Sequence, residues 1–155
     1  MFPVYKATTG LEVNEMLKLV KKRHPQAQAI FVRNELGLED LLYFSLFLTL
    51  KAFQNRPAES HAKSIGLEWL CRLACTPNVS KALVWTAPQG GEKVIASTVS
   101  FNDKLKKKLG ISEKNRKSMP DVKFLSEFYG ISEAALENYS ILELARERMA
   151  VAAAK

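Results

Sequence analysis

Hydrophobic and polar positions recur with two different periods along this chain, and each change of period marks an element. Residues 2–8 (FPVYKAT) read as a short strand. In residues 11–23 the apolar Leu11, Met16, Leu17, Leu19 and Val20 gather on one side, with Glu12, Lys18, Lys21 and Lys22 elsewhere. That is helical spacing, and it stops near Pro25. Residues 27–33 (AQAIFVR) alternate, with Ile30 and Val32 on one face and Ala29 and Phe31 on the other, which predicts a second strand. Gly37 then breaks the chain, and residues 38–54 predict a long helix. Its apolar positions, Leu41, Leu42, Phe44, Leu46, Phe47, Leu48, Leu50 and Phe53, run almost all the way round. So little polar face predicts burial on several sides, in the protein's own core or against a partner.

Residues 58–74 predict another helix along Leu67, Leu70 and Leu73, with Pro57 suited to its first turn. Thr76-Pro77 reads as the N-cap and first turn of a short helix reaching about Leu83. Residues 83–87 and 92–99 read as two strands joined at Pro88-Gln89-Gly90-Gly91. Residues 102–120 are the least periodic. A helix is predicted from about Asp121 to Tyr129, closed by Gly130. Ser132 suits the cap of a short turn, and Ser140-Ile141-Leu142-Glu143 fits a capping box for the last helix, with Leu144, Ala145, Met149 and Ala150 on its apolar side. The expected fold is one mixed α/β (α+β) domain over residues 1–155, with a small sheet of about four strands and helices packed against it.

Composition agrees with a folded chain of one domain: 155 residues, 47% hydrophobic and 25% charged. The most apolar run, Leu41 to Leu50, is bracketed by Glu39-Asp40 and Lys51 and is too short to span a bilayer. The opening residues have no basic region followed by a long apolar stretch, so no signal or transit peptide is expected. With two cysteines, this favours a reducing cytoplasm and free thiols. Charge adds a direction. Lys and Arg number 23 against 16 Asp and Glu, a net +7. Between Lys104 and Lys117 there are seven Lys or Arg (Lys104, Lys106, Lys107, Lys108, Lys114, Arg116, Lys117) against the single acid Glu113. That stretch reads either as a solvated loop or as a phosphate-contacting one, and it has no interleaved aromatics on which bases would stack. Lys63, Arg72 and Lys81, near two predicted helix starts, form a second candidate anion contact.

Catalytic signatures are absent from the sequence. There is no P-loop and no dinucleotide fingerprint, and the Gly90-Gly91 pair sits in a turn. Cys71 and Cys75, four apart on a helix, supply at most half a zinc site, because His24 and His61 lack motif spacing; no metal or cofactor is expected. A Cys/His nucleophile pair, Cys71 or Cys75 with His61, is the enzymatic alternative to ordinary core cysteines. Glu39-Asp40 has a structural explanation at a helix N-terminus, and Glu68 beside Trp69 has chemical interest only if buried. The end of the chain, Arg146 to Lys155, is a small-residue apolar segment suited to packing on its own core or into a partner's groove.

Four segments resemble one family, the small accessory subunit of the KEOPS complex (p53-related-kinase-binding proteins). Leu38 to Phe53 is similar to its long leucine-rich helix ending in Lys-Ala-aromatic. Ala62-Lys63-Ser64-Ile65-Gly66-Leu67-Glu68-Trp69-Leu70 resembles its A-K-S-L-G-x-E helix, and Thr76 to Leu83 resembles the following turn and I-x-x-A-L helix. Arg148-Met149-Ala150 resembles its closing R-M-A. There are departures: Thr76-Pro77-Asn78-Val79 stands where Thr-Arg-Gln-Ile is usual, and Glu59-Ser60 where Arg-Asn is, which removes cations from the turn. The basic segment is not a family signature. The resemblance implies a non-enzymatic subunit that binds the complex's small atypical kinase, supports its activity, and, as in archaeal members, helps recruit tRNA by its 3′ CCA end for threonylcarbamoyladenosine modification beside the anticodon. On that reading Leu142, Ala145, Arg148 and Met149 face the kinase. Lys63, Ser64, Arg72, Thr76 and Asn78 lie near the tRNA end, with Lys104 and Lys107 assisting by charge. A free-standing basic RNA-binding protein is the alternative.

Overall fold

A computed structural model of the chain describes residues 2–55, 64–90, 92–111 and 119–154. Its elements in order are β1 (Val4–Ala7), α1 (Val13–Arg23), β2 (Ala29–Val32), a short 3-10 turn (Asn34–Leu36), α2 (Glu39–Asn55), α3 (Ile65–Leu73), α4 (Val79–Thr86), β3 (Lys93–Ser97), α5 (Asp103–Lys108), α6 (Val122–Tyr129), α7 (Glu133–Leu136) and α8 (Ile141–Ala153). The mixed α/β class stands, with three strands among the described residues where about four were expected. Residues 83–87 are the difference. They are the last turns of α4 and its C-cap, not a strand. Leu83, Val84, Trp85 and Thr86 have good strand propensity, but that preference is weak against tertiary context. The Asn78 side chain caps α4 by accepting from the Lys81 N–H at 3.0 Å, Ala82 is buried, and the Thr86 hydroxyl donates back to the Ala82 carbonyl at 2.7 Å. So no hairpin precedes β3.

The sheet order is β1-β3-β2 with both pairings antiparallel. β1 and β2, joined through α1, therefore run parallel with β3 inserted between them, a split β-α-β arrangement. The alternation anticipated for β2 holds. Ile30 and Val32 enter the larger core with Val94 and Ala96 of β3. Phe31 enters the smaller core on the other face with Ile95, Ala7, Met16, Val20, Leu105 and Leu109. Both faces of the sheet are thus covered, by α1 and α5 on one side and by α2, α3, α6 and α8 on the other.

α2 and α3 form the heart of the larger core. Ser45 and Thr49 are buried polar residues on α2, and each hydroxyl donates to the carbonyl four residues earlier, which satisfies it without an outside partner. The Trp69 indole N–H of α3 reaches the Leu42 carbonyl at 3.1 Å and the Ser45 hydroxyl at 3.0 Å, locking the two helices in register. α8 lies across α2, opened by the anticipated capping box, with Ser140 accepting from the Glu143 N–H and Glu143 from the Ser140 N–H. α6 begins at the Asp121 cap and ends at Gly130 in the left-handed conformation, as expected.

α5 lies inside the stretch read as aperiodic. Asn102 caps it through the Leu105 N–H at 2.9 Å, and Gly110 (φ 64°) closes it. A Cβ at Gly110 would stand 3.1 Å from the Thr8 hydroxyl oxygen, so both conformation and space favour glycine there. Lys114, Arg116 and Lys117 fall outside the described residues.

Candidate functional site

The C-terminal end of α3, the turn that follows it, the last turn of α4, the end of α6 and the last turns of α8 line a cleft of about 520 Å³. Its lining includes Arg72, Cys75, Thr76, Trp85, Phe128, Tyr129, Arg148 and Met149. A cleft of this size accepts a ligand on the scale of a nucleotide. Four residues expected in two separate sites meet here: Arg72 and Thr76, expected near the tRNA end, and Arg148 and Met149, expected on the partner face.

Local structure explains why each lies there. The end of α3 is a left-handed cap formed by Cys75 (φ 55°), with the Thr76 N–H reaching back to the Cys71 carbonyl at 3.1 Å. Cys75 is the one non-glycine residue with positive φ among those described, a conformation that L side chains adopt at a cost. The turn brings Thr76 round so that its hydroxyl accepts from the Asn78 N–H at 3.2 Å, and α4 leaves from there. Trp85 then projects from the last turn of α4 as a partly exposed aromatic wall, with the Lys81 ammonium 6.0 Å above its ring. Tyr129, on the opposite side, donates its hydroxyl to the Leu73 carbonyl at 2.8 Å. Arg148 donates to the Gly130 carbonyl at 3.1 Å, so its guanidinium is held at the rim by the end of α6.

Arg72 is tied to Glu68, whose side chain is 0% exposed; Nη2 and Nε lie 2.8 and 3.0 Å from one carboxylate oxygen. Glu68 is thus a buried carboxylate, and Arg72 balances its charge. Burial pushes both thiols up to about 11. For Cys71 the Glu68 carboxylate adds to the rise and Arg72 opposes it; for Cys75 Arg148 opposes it. The shift runs against nucleophile activation, which needs a lowered thiol pKa. The histidine proposed as base, His61, lies outside the described residues, and among those described no group of His, Cys, Asp and Glu could hold a metal ion.

The other expected site residues are placed as follows. Lys63 lies outside the described residues. Ser64 and Asn78 are exposed N-caps whose side-chain oxygens already accept from Leu67 and Lys81 backbone N–H groups. Lys104 and Lys107 lie on α5, across the sheet from the cleft, and are not brought together with Arg72 and Thr76. On α8, Ala145 (0% exposed) and Met149 (1%) belong to the core, and Leu142 is half-buried against it. This corrects the expectation that Ala145 and Met149 offer anchors to a partner: the α8 face they occupy is spent on α2, α3 and α6. Arg148 and Val151 (50% exposed) are the outward residues. Reading 83–87 as a strand also concealed Trp85. The spacing of Lys81 and Trp85, one helical turn, was the signal that placed both on one face.

No helix among the described residues is long and apolar enough to cross a membrane. Compared with protein-family models and with curated proteins, the chain finds no significant match in either.

Proposed function

We propose that this chain is a non-catalytic accessory subunit of a KEOPS-type assembly. It binds the small atypical kinase of that assembly, supports its activity, and helps deliver the 3′ CCA end of tRNA for threonylcarbamoylation of the adenosine beside the anticodon. One observation carries this reading. The four segments on which the resemblance rests become α2, α3, α4 and α8, and these pack into one unit with the cleft between three of them.

The cleft's chemistry is compatible with an unpaired nucleic-acid end. Trp85 and, in part, Phe128 offer aromatic surface for bases, and Arg72 and Arg148 offer guanidinium groups for phosphate. Beside it, α4 and α8 present Val84 (70% exposed), Trp85 and Val151 on the outside, apolar surface of the kind that protein partners cover. The kinase is assigned to this outer face and not to the buried side of α8.

The test is size-exclusion chromatography with light scattering on the chain mixed with the kinase subunit. A stable one-to-one complex, weakened by Val151→Glu, supports the proposal; absence of any complex at micromolar concentration overturns it. A second reading, a free-standing RNA-binding protein, is favoured by the charge on α1 and α5. RNA binding without kinase binding selects it.

A further inference from the structure

The charge of the molecule is sorted by layer. α1 carries four Lys and Arg (Lys18, Lys21, Lys22, Arg23) against Glu15, and α5 carries four Lys (Lys104, Lys106, Lys107, Lys108) against Asp103. Each helix is therefore +3, and the two together hold +6 in a chain whose total is +7. They are also neighbours. Both cover the smaller core face of the sheet, α1 through Met16 and Val20 and α5 through Leu105 and the Leu109 that caps its end. The His24 imidazole, just past α1, accepts from the backbone N–H of Asn102, the cap of α5, at 3.1 Å, and stacks on Phe101. The basic end of α1 is thus pinned beside the start of α5.

Helix-end electrostatics accounts for part of this charge, since cations suit a helix C-terminus. It does not account for the rest. Lys18 stands at three and four residues from Lys21 and Lys22, and Lys104 at three and four from Lys107 and Lys108; all six are exposed. Like charges at those spacings repel and destabilise a helix. Among the described residues, none of these six takes part in an ion pair. Salt screens this self-repulsion in part, and a bound polyanion would relieve it directly.

The character of the surface selects which polyanion. The large exposed hydrophobic residues lie on α2, α4, α6 and α8 and in loops, and none lies on α1 or α5. A membrane-surface helix needs apolar side chains to insert, and a protein interface needs aromatic or aliphatic anchors. The aromatics of this layer are also turned inward: Phe101 is buried, and Tyr5 is stacked on it beneath the Lys106 ammonium. No platform for unpaired bases is left. A basic, non-aromatic, non-apolar face matches the regularly spaced phosphates of a double helix.

We infer that the α1–α5 layer is a second nucleic-acid contact, which binds the phosphate backbone of double-helical RNA without regard to sequence and independently of the cleft across the sheet. The choice of RNA over DNA rests on the tRNA reading above; the contact itself does not depend on kinase binding. It also accounts for Lys104 and Lys107 lying away from Arg72 and Thr76: a structured RNA whose end enters the cleft would have to present a separate helical region to this layer.

The test uses the full chain and a blunt RNA duplex with no single-stranded end, titrated at several salt concentrations. The variant is Lys21→Ala/Lys22→Ala/Lys107→Ala/Lys108→Ala. Each lost phosphate contact lowers the slope of log K against log salt by roughly one, so the fourfold variant is expected to lose up to about 3 to 4 units of slope. Its melting temperature is expected to change little, because the repulsion removed offsets the loss of cations that suit the two helix ends. An unchanged slope overturns the inference. So does equal binding of polyglutamate, of phosphatidylserine vesicles, or tighter binding of a DNA duplex of the same length. Val151→Glu is expected to leave duplex binding intact, which separates failure of this contact from failure of the kinase proposal.

Discussion

At the scale of single residues, Arg72 has two duties. It lines the cleft, and it holds the buried Glu68 carboxylate. Removing Arg72 takes an opposite charge away from a buried carboxylate, in a medium that solvates it poorly. Arg72→Ala is therefore expected to destabilise the fold by about 3 kcal/mol in urea unfolding. Loss of RNA binding in that variant has meaning only beside a stability measurement, whereas Arg148, at the rim, tests the cleft more cleanly. The two thiols give a pH prediction. Their folded pKa values, about 11, lie above the ordinary 9.0, so the fold favours the protonated form. Their contribution to stability is complete below pH 9 and is lost as pH rises through 11. Tyr129, raised by burial and by Cys75, adds in the same direction. Thermal melts between pH 8 and 11 are expected to show falling stability, and alkylation of the native protein near pH 7 is expected to be slow. Rapid labelling at neutral pH would overturn the assignment of these cysteines as packing residues.

At the scale of elements, helix ends were the most legible part of the sequence. Ser132, Ser140 with Glu143, and Gly130 were identified from residue type and spacing, and each caps a helix by the bond anticipated or in the left-handed conformation. α5 carries the same two signals, Asn102 before it and Gly110 after it, but its single turn and a half holds too few apolar positions to show a period. Asn102→Ala is expected to cost about 1 kcal/mol by chemical denaturation, the usual worth of an N-cap. Gly110→Val should cost more, because it meets both the φ of 64° and the Thr8 hydroxyl. The first half of α4 was anticipated as a short helix reaching about Leu83, and only its last turn, within residues 83–87, was misread, for the opposite reason. Its residues favour a strand, and only the buried position of Ala82 and the Asn78 cap decide for a helix. Burial is a tertiary property, and so the Trp85 wall of the cleft was not legible either.

At the scale of the whole molecule, the sheet separates two surfaces of different chemistry, an apolar and aromatic one around the cleft and a basic one over α1 and α5. The linear reading assigned Lys104 and Lys107 to the same tRNA contact as Arg72 and Thr76, because sequence distance says nothing about which side of a sheet a helix covers. The alternation of β2 did contain that information, with Ile30 and Val32 facing one core and Phe31 the other. What it lacked was the assignment of each helix to a face. The same separation predicts how interface variants divide. Met149→Glu places a charge in the core and is expected to lower the melting temperature strongly, with all binding lost together. Val151→Glu, at an exposed position on the cleft rim, is expected to keep the melting temperature and duplex binding while losing kinase binding. Parallel melts and binding assays on the two variants check this division, and a stable Met149→Glu protein would contradict the packing of α8.

The insertion of β3 between β1 and β2 has a consequence for the chain as it is being made. β1 and β2 leave the ribosome first, and neither pairs with the other. Both wait for residues 93–97. Until these emerge, the nascent protein has helices but no sheet, and two short unpaired strands with apolar residues on both faces. Synthesis that stalls before residues 93–97 have emerged therefore leaves both strand edges open to chaperones or proteases, and emergence of that segment is what lets the sheet close.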